Sequence, residues 1–429
     1  MNLTTDPAGS APCLPPVVPN QPWLTAAPRP ERARAAIARD GLAALVALTA
    51  ENAAYLSGRT STIASLWRVP ALVVVALAAD GGLAVAAGDS ELGAYPPNQF
   101  ARHAHPFWIE HLDLRGVSGD SIAERIVAAR PGPPPNRPAQ FDEAAQVAAA
   151  AAAIRSAAPR GGVVGADLRD VPARLLALLA AALPGRELVD ASAVFDDLRA
   201  VKDPDEIGHL RRAGELTDTG IAAARAALRP GLPGVAVTAA YQSAIWRRAA
   251  TDDRYLALRE AEGLVGVGDG NAPDTRVGPG ETVKLDMQVD VGGYHSDIGR
   301  TYALAPTAEQ RDVHAALLRA SERAQAEVRP GTTFADLHAA GSRAMHEAGF
   351  ANYSRGHLGH SVGLAHNYEE APFIAPDEPR PLVPGMVVSL ELPYYLLGLG
   401  TFQLERMLLV TDTGHEPLDR LPFDFAVTG

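Results

Sequence analysis

The sequence predicts two folded domains of different architecture, an α/β domain over 30–197 and an α+β domain over 198–429, preceded by a flexible Pro-rich tail over 1–29. Three observations carry this. Helix-like and strand-like runs alternate up to about residue 195. From near 198 strand-like runs dominate, with helices between them. The first 29 residues are proline-rich and show little apolar periodicity.

Taken in order, LPPVVPNQPW and AAPRP cannot bury enough apolar surface to order themselves. The alternative for this segment is an arm that docks on a partner subunit through Trp23. ERARAAIARDG reads as a helix closed by Gly41, and ALVALT as a short apolar run. ALVVVALAADGGLAVAA reads as two strands around a turn at Asp80-Gly81-Gly82. PGPPPNRP at 131–138 is a surface loop, and GGVVGADL a strand running into a turn. VPARLLALLAAALPG reads as a helix stopped by Pro184-Gly185. Such alternation is the pattern of an α/β domain.

DLRAVKDPDEIGHLRRAGELTDTGIAAARAALRPG reads as a junction and a long helix. Asp203 is placed to cap it, Pro204 suits its first turn, Glu206 completes a capping box, and Pro230-Gly231 ends it. Ile207, Leu210, Ala213 and Leu216 keep helical spacing. The strand-like runs TVKLDMQVDV, GMVVSLELPYY and ERMLLVT come next, with helices at about 307–328 and 333–348.

The bulk properties exclude several classes. A net charge of -12 argues against broad nucleic-acid binding, which needs basic patches. No unbroken apolar run reaches the roughly 18 residues that a membrane span needs. The first residues lack a basic segment followed by an apolar one, so no secretory signal is expected. The single cysteine, Cys13, excludes an internal disulfide and suits a cytoplasmic protein.

Chemistry concentrates in three segments. In TVKLDMQVDVGGYHSDIGRTY, Asp286 and Asp297 stand eleven positions apart on runs joined at Gly292-Gly293. A carboxylate inside an apolar strand is expensive to bury unless a cation or hydrogen-bond donors compensate. On this segment alone, a turn-capping Asp297 and an ion-paired Asp286 remain an open alternative. In SRGHLGHSVGLAHNYEEAPF, His357, His360 and His366 sit among glycines. Imidazole is the common nitrogen ligand and proton shuttle. In PGMVVSLELPYYLLGLGTFQLERMLLVT, Glu391 lies inside one apolar strand, and Glu405 opens the next, fourteen positions later. Four strand carboxylates and one histidine match the ligand set of two divalent ions about 3.5–4 Å apart.

These segments resemble the pita-bread metallopeptidase family of aminopeptidase P, prolidase, methionine aminopeptidase and creatinase. GYHSDIGRT is similar to the family's GYxSDxTRT, GHSVGL to GHGxGL, PGMVVSLELPYY to PGMVxTxEPGxY, and LERMLLVT to IEDxxLVT. GLAALVALTAENAAYLSG and LRAVKDPDEIGHLRRA are similar to the creatinase and prolidase N-domain, so the resemblance covers about 30–425. It implies a creatinase/prolidase-like N-domain and a catalytic domain built on a curved, mostly antiparallel sheet. It also implies two divalent metal ions per subunit, Mn first and Zn or Co as alternatives. Asp297 and Glu405 would bridge the ions, with Asp286 on one and His360 and Glu391 on the other. A hydroxide between the ions would be the nucleophile, and Glu391 its proton partner. A homodimer and a small peptide substrate are implied as well.

Three features depart from the family pattern. VGVGDGNAPDTRVGPGETV lacks the histidine that usually precedes the first Asp strand. The family's proton-donating histidine lies seven residues after the ligand histidine, where this chain has Asn367; His366, one residue earlier, is the candidate, with His357 as substitute. Gln403 stands where proline-specific members often carry arginine, and Arg300 and Arg406 are expected to be structural ion-pair partners. The expected function is hydrolysis of Xaa-Pro bonds in dipeptides or at peptide N-termini. The alternative is a metal-dependent hydrolase or lyase of a small non-peptide metabolite on the same scaffold.

Overall fold

A computed structural model describes residues 29–427 apart from 131, 134–135, 271–273 and 366–368. Trp23 and the proline-rich first residues therefore lie outside the described residues. The described chain divides into two compact units, with the break between Phe195 and Asp196.

The first unit is a six-stranded mixed sheet in the order Phe100–His105, Leu83–Gly88, Val74–Ala78, Ala44–Ala47, Gly162–Ala166, Arg186–Asp190. Ala44–Ala47 is buried along its whole length, which is why ALVA carries no alternation. Its neighbour Val74–Ala78 turns into Leu83–Gly88 at the Asp80-Gly81-Gly82 turn, where Gly81 has φ 93°. The helix Glu143–Ala157 covers one face, with Ala150, Ala153 and Ile154 against Val46, Val74 and Val164. Its alanine run has no apolar period, so the sequence pattern gives no notice of it.

The second unit begins with the helix Pro204–Ala227. Asp203 accepts from the amides of Asp205 and Glu206, and Glu206 Oε2 accepts from the amide of Asp203, closing the expected capping box. Such caps are worth about 1 kcal/mol. Leu210, Ala213 and Leu216 are buried as expected, but Ile207 is only half-buried. Glu206 takes the buried place instead, because the Tyr294 hydroxyl donates to it at 3.0 Å.

Two five-stranded sheets follow. One runs Ala426–Val427, Ile298–Leu304, Thr282–Val291, Leu258–Val267, with Tyr294–His295 paired beside Thr282–Val291. The other runs Glu370–Phe373, Gly359–Ser361, Val387–Leu396, Gly400–Val410, His415–Pro417. Every pairing is antiparallel except that of Ile298–Leu304 with Ala426–Val427. Thr301 stitches the two sheets: its hydroxyl donates to the Gln403 carbonyl at 3.0 Å and accepts the Gln403 amide at 2.7 Å.

The alternation of side chains along a strand decides what faces the seam. In Val387–Leu396, Val388, Leu390 and Leu392 enter a core with Leu317, Phe334 and Leu337 of the helices Ala308–Ala326 and Phe334–Glu347. Ser389 and Glu391 must then face the other way. In Gly400–Val410, Phe402 and Leu404 join that core, which turns Gln403 and Glu405 to the seam. In Thr282–Val291, Leu285, Met287 and Val289 are fully buried, while Lys284, Asp286 and Gln288 share the opposite face. Each fully buried Leu, Met or Phe contributes roughly 1.5–3 kcal/mol, so these strands cannot slip by one residue without losing several such terms. Among the described residues, no helix is long and apolar enough to cross a membrane.

Candidate metal centre

The seam between the sheets opens into a cavity of about 560 Å³ lined by Asp286, Asp297, His360, Glu391 and Glu405. Register brings them together. Glu391 and Glu405 are direct cross-strand partners, and Asp286 stands opposite Gly299, two residues after Asp297. A Cβ on Gly299 would lie 2.9 Å from Glu405 Oε2, so glycine there leaves the room that the carboxylates occupy. His360 stands opposite Ser389 on the edge of the Glu391 strand. Its neighbour Gly359 has φ 125°, and a Cβ there would come within 1.9 Å of the Ser389 carbonyl, so only glycine allows this close approach. One ligand atom each from Asp297, His360 and Glu405 falls within 4.8 Å of the other two.

The hydrogen bonds leave this group short of donors. Asp297 Oδ1 accepts from Gln288 Nε2 at 3.1 Å. Glu405 accepts from Ser389 Oγ at 2.9 Å and from Gln403 Nε2 at 2.8 Å. Among the described residues, no lysine or arginine pairs with either carboxylate, although both are at least 95 % buried. Burial first, and then the Asp286 charge, hold the Asp297 carboxyl well above the usual range. Burial and the charges of Asp297, Asp286 and Glu391 do the same to Glu405. Burial pushes Glu391 up to about 7, against the opposing effect of Arg355, whose guanidinium lies 3.5 Å away.

His360 Nε2 lies 3.6 Å from Asp297 Oδ2. This approach is not an ion pair, since burial lowers the imidazole and raises the carboxyl, favouring the neutral form of each. His360 Nδ1 lies 3.0 Å from the Ser361 carbonyl, which can only accept, so that nitrogen carries the proton and Nε2 offers its lone pair to the cavity. A lone pair and clustered carboxylates with too few donors are what divalent cations require. The donor set fits them.

His357 Nδ1 lies 3.3 Å from Glu391 Oε1, and its ring centroid lies 6.2 Å from that of His360. Burial lowers its pKa. His366 lies outside the described residues. Arg300 is buried and pairs with Asp419, which Arg406 also contacts at 3.3 Å, as structural partners should. Glu262, Glu369 and Gln288 also line the cavity, beyond the residues that the sequence points to. A signal existed for Gln288 and for the buried Lys284: K-x-D-x-Q places both on the face of Asp286 at period two.

Comparison with known proteins bears on the same segment. The sequence profile of metallopeptidase family M24 matches residues 208–412. The Xaa-Pro dipeptidase of Pyrococcus furiosus is 28% identical over 228 residues, 53% of this chain and 65% of the relative. The probable dipeptidase PepE of Mycobacterium bovis is 31% identical over 245 residues, 55% of this chain and 63% of the relative. The aligned stretch thus spans just under two thirds of these relatives. Among solved structures, an Xaa-Pro dipeptidase from Bacillus anthracis superposes with TM-score 0.73 at 19% identity, covering 94% of this chain and 100% of that one. Dipeptidase PepE from Mycobacterium ulcerans gives TM-score 0.69 at 26% identity over 95% of this chain and 100% of that one. The fold is therefore the pita-bread fold preceded by a prolidase-type N-domain.

Proposed function

Because the chain belongs to metallopeptidase family M24, we propose that it hydrolyses Xaa-Pro bonds, in dipeptides or at peptide N-termini, with two divalent metal ions per subunit. The carrying observation is the convergence of Asp286, Asp297, His360, Glu391 and Glu405 on one cavity. Asp286, Asp297, His360, Glu391 and Glu405 would hold the ions. Four carboxylates to one imidazole favour Mn²⁺, with Zn²⁺ and Co²⁺ as alternatives. When bound, the ions would polarise the scissile carbonyl and bring a water's pKa near neutrality.

The chain's own groups supply the rest. Glu391 would take the proton of the attacking water, and His357, whose Nδ1 lies 3.3 Å from Glu391 Oε1 and accepts the Gly359 amide, would hold or pass a proton through Nε2. His366 is the candidate donor to the leaving amine, with His357 as substitute. Glu262 and Glu369 line the cavity outside the ligand set and put negative charge where a peptide's α-ammonium would sit. The exposed Leu264 offers an apolar wall for the first side chain. We expect a homodimer, which light scattering would report as twice the 44.9 kDa chain mass.

The test is a substrate panel of Ala-Pro, Ala-Pro-Ala, N-acetyl-Ala-Pro, Met-Ala-Ser and creatine, with metal-free enzyme refilled with Mn²⁺, Zn²⁺ or Co²⁺. Cleavage of the first two, dependent on metal and lost on acetylation, is expected. Turnover of creatine alone would overturn the peptidase reading. For the proton donor, His366→Ala should keep both ions while kcat falls at least about tenfold. An unchanged kcat there, with collapse in His357→Ala, moves the role to His357.

A further inference from the structure

One charged residue at the seam has no part in the mechanism above. Lys284 lies on the Asp286 strand, two positions earlier and on the same face, with only 3% of its side chain exposed. Its ammonium lies 3.3 Å from Asp286 Oδ2 and donates to Gln403 Oε1 at 3.3 Å. It also stands 5.5 Å from the centroid of the Tyr395 ring, a cation–π distance. Gln403, held by Lys284 through its carbonyl, turns its amide to Glu405 Oε2 at 2.8 Å. Lys284 thus puts a positive charge against Asp286 itself, whereas at the other end of the donor set Arg355 contacts Glu391 at 3.5 Å and, among the described residues, no lysine or arginine pairs with Asp297 or Glu405.

We propose that Lys284 is a resident counter-cation that competes with the divalent ion at Asp286 and thereby sets how tightly the second ion binds. This rests on the reading of the five residues as a divalent-metal site. An ammonium at 3.3 Å from a ligand oxygen occupies part of the space and of the charge that an ion there would use. It repels an incoming divalent cation at short range, in a place too buried for salt to screen well. The ion at Asp297, His360 and Glu405 feels Lys284 only at longer range and through the neutral Gln403 amide. Lys284 touches neither substrate nor reacting atoms in this account; it is a positioning residue acting through Asp286.

The experiment is a Mn²⁺ titration of the metal-free full chain by calorimetry, with free Mn²⁺ followed by electron paramagnetic resonance. The wild type should fill in two steps, the second weaker. Lys284→Met, which keeps length and removes charge, should tighten the second step at least about tenfold and move the first by less than about twofold. Lys284→Arg should restore the wild-type separation, which a purely structural role for the lysine stem would not predict. Should Lys284→Met fail to fold, Lys284→Gln carries the same expectation. A second step unchanged or weakened in the neutral variants, or an equal shift of both steps, overturns the inference and leaves the metal site standing. A wild type that takes up no ion overturns the inference and the metallopeptidase reading together.

Discussion

Asp167 in the first unit and Asp297 in the second are both buried carboxylates, and they differ in what surrounds them. Asp167 accepts from the amides of Leu48 and Thr49 at 2.6 and 3.1 Å, from Thr49 Oγ1 at 2.6 Å and from Asn52 Nδ2 at 2.8 Å. These bonds tie the end of strand Ala44–Ala47 to the helix Ala50–Ser57, and burial still raises its carboxyl to about 6. Asp297 has one side-chain donor, Gln288, and stands among the charges of Asp286 and Glu391. Burial alone therefore does not mark a functional carboxylate. The distinguishing mark is a cluster of them with fewer donors than lone pairs, because a protein that had to keep such a cluster without cations would lose stability for nothing.

The sharpest way to break this contrast is to neutralise each carboxylate. Asp297→Asn should lower metal occupancy and cost at least about 10²–10³ in rate, the scale of a lost electrostatic contact to the transition state. Asp167→Asn should leave metal content and activity per folded molecule unchanged. Its new amide would oppose the donors of Thr49 and Asn52, lowering stability by about 2 kcal/mol in denaturant unfolding. Equal loss of metal in both variants would erase the distinction.

The pH dependence of stability should separate metal-free from metal-loaded protein by a smaller margin. In the metal-free chain Glu391 is raised to about 7, and Asp297 and Glu405 are raised well above their ordinary values. A group whose folded pKa is raised binds its proton more tightly when folded. Its contribution is complete below the unfolded value, near 4, and is lost as pH rises through the folded value. His360 and His357 are lowered by burial and act in the opposite sense, but only below about 6.5. Metal-free protein should therefore lose Tm as pH rises above about 6.5 and through the Glu391 value of about 7, and saturating Mn²⁺ should remove the slope. A Tm that rises with pH in the metal-free protein would show that the clustered carboxylates are not protonated in the fold.

Much of this site was legible because strand periodicity is simple. VKLDM, VVSLEL and FQLER each set a carboxylate against flanking apolar residues, and the core side of each strand then dictated the side of the acid. The glycines of GHSVG and GGYHSDIG marked places of close backbone approach. What was less legible depended on contacts distant in sequence. Glu206 displaced Ile207 from the buried face because Tyr294, far along the chain, offers it a hydroxyl. The helix Glu143–Ala157 is built on alanines that are apolar all round, so no face stands out. In the sequence Gln403 stands out only as the place of a missing arginine. Its bonds to Lys284 and Glu405 needed two strands of different sheets to be brought together.

The most direct test of the account is a crystal of the protein soaked in saturating Mn²⁺ and measured at the manganese absorption edge. Two anomalous peaks are predicted within coordination distance of Asp286, Asp297, His360, Glu391 and Glu405, both reduced in Asp297→Asn. Absence of peaks in that cavity, or peaks coordinated by other residues, would contradict it.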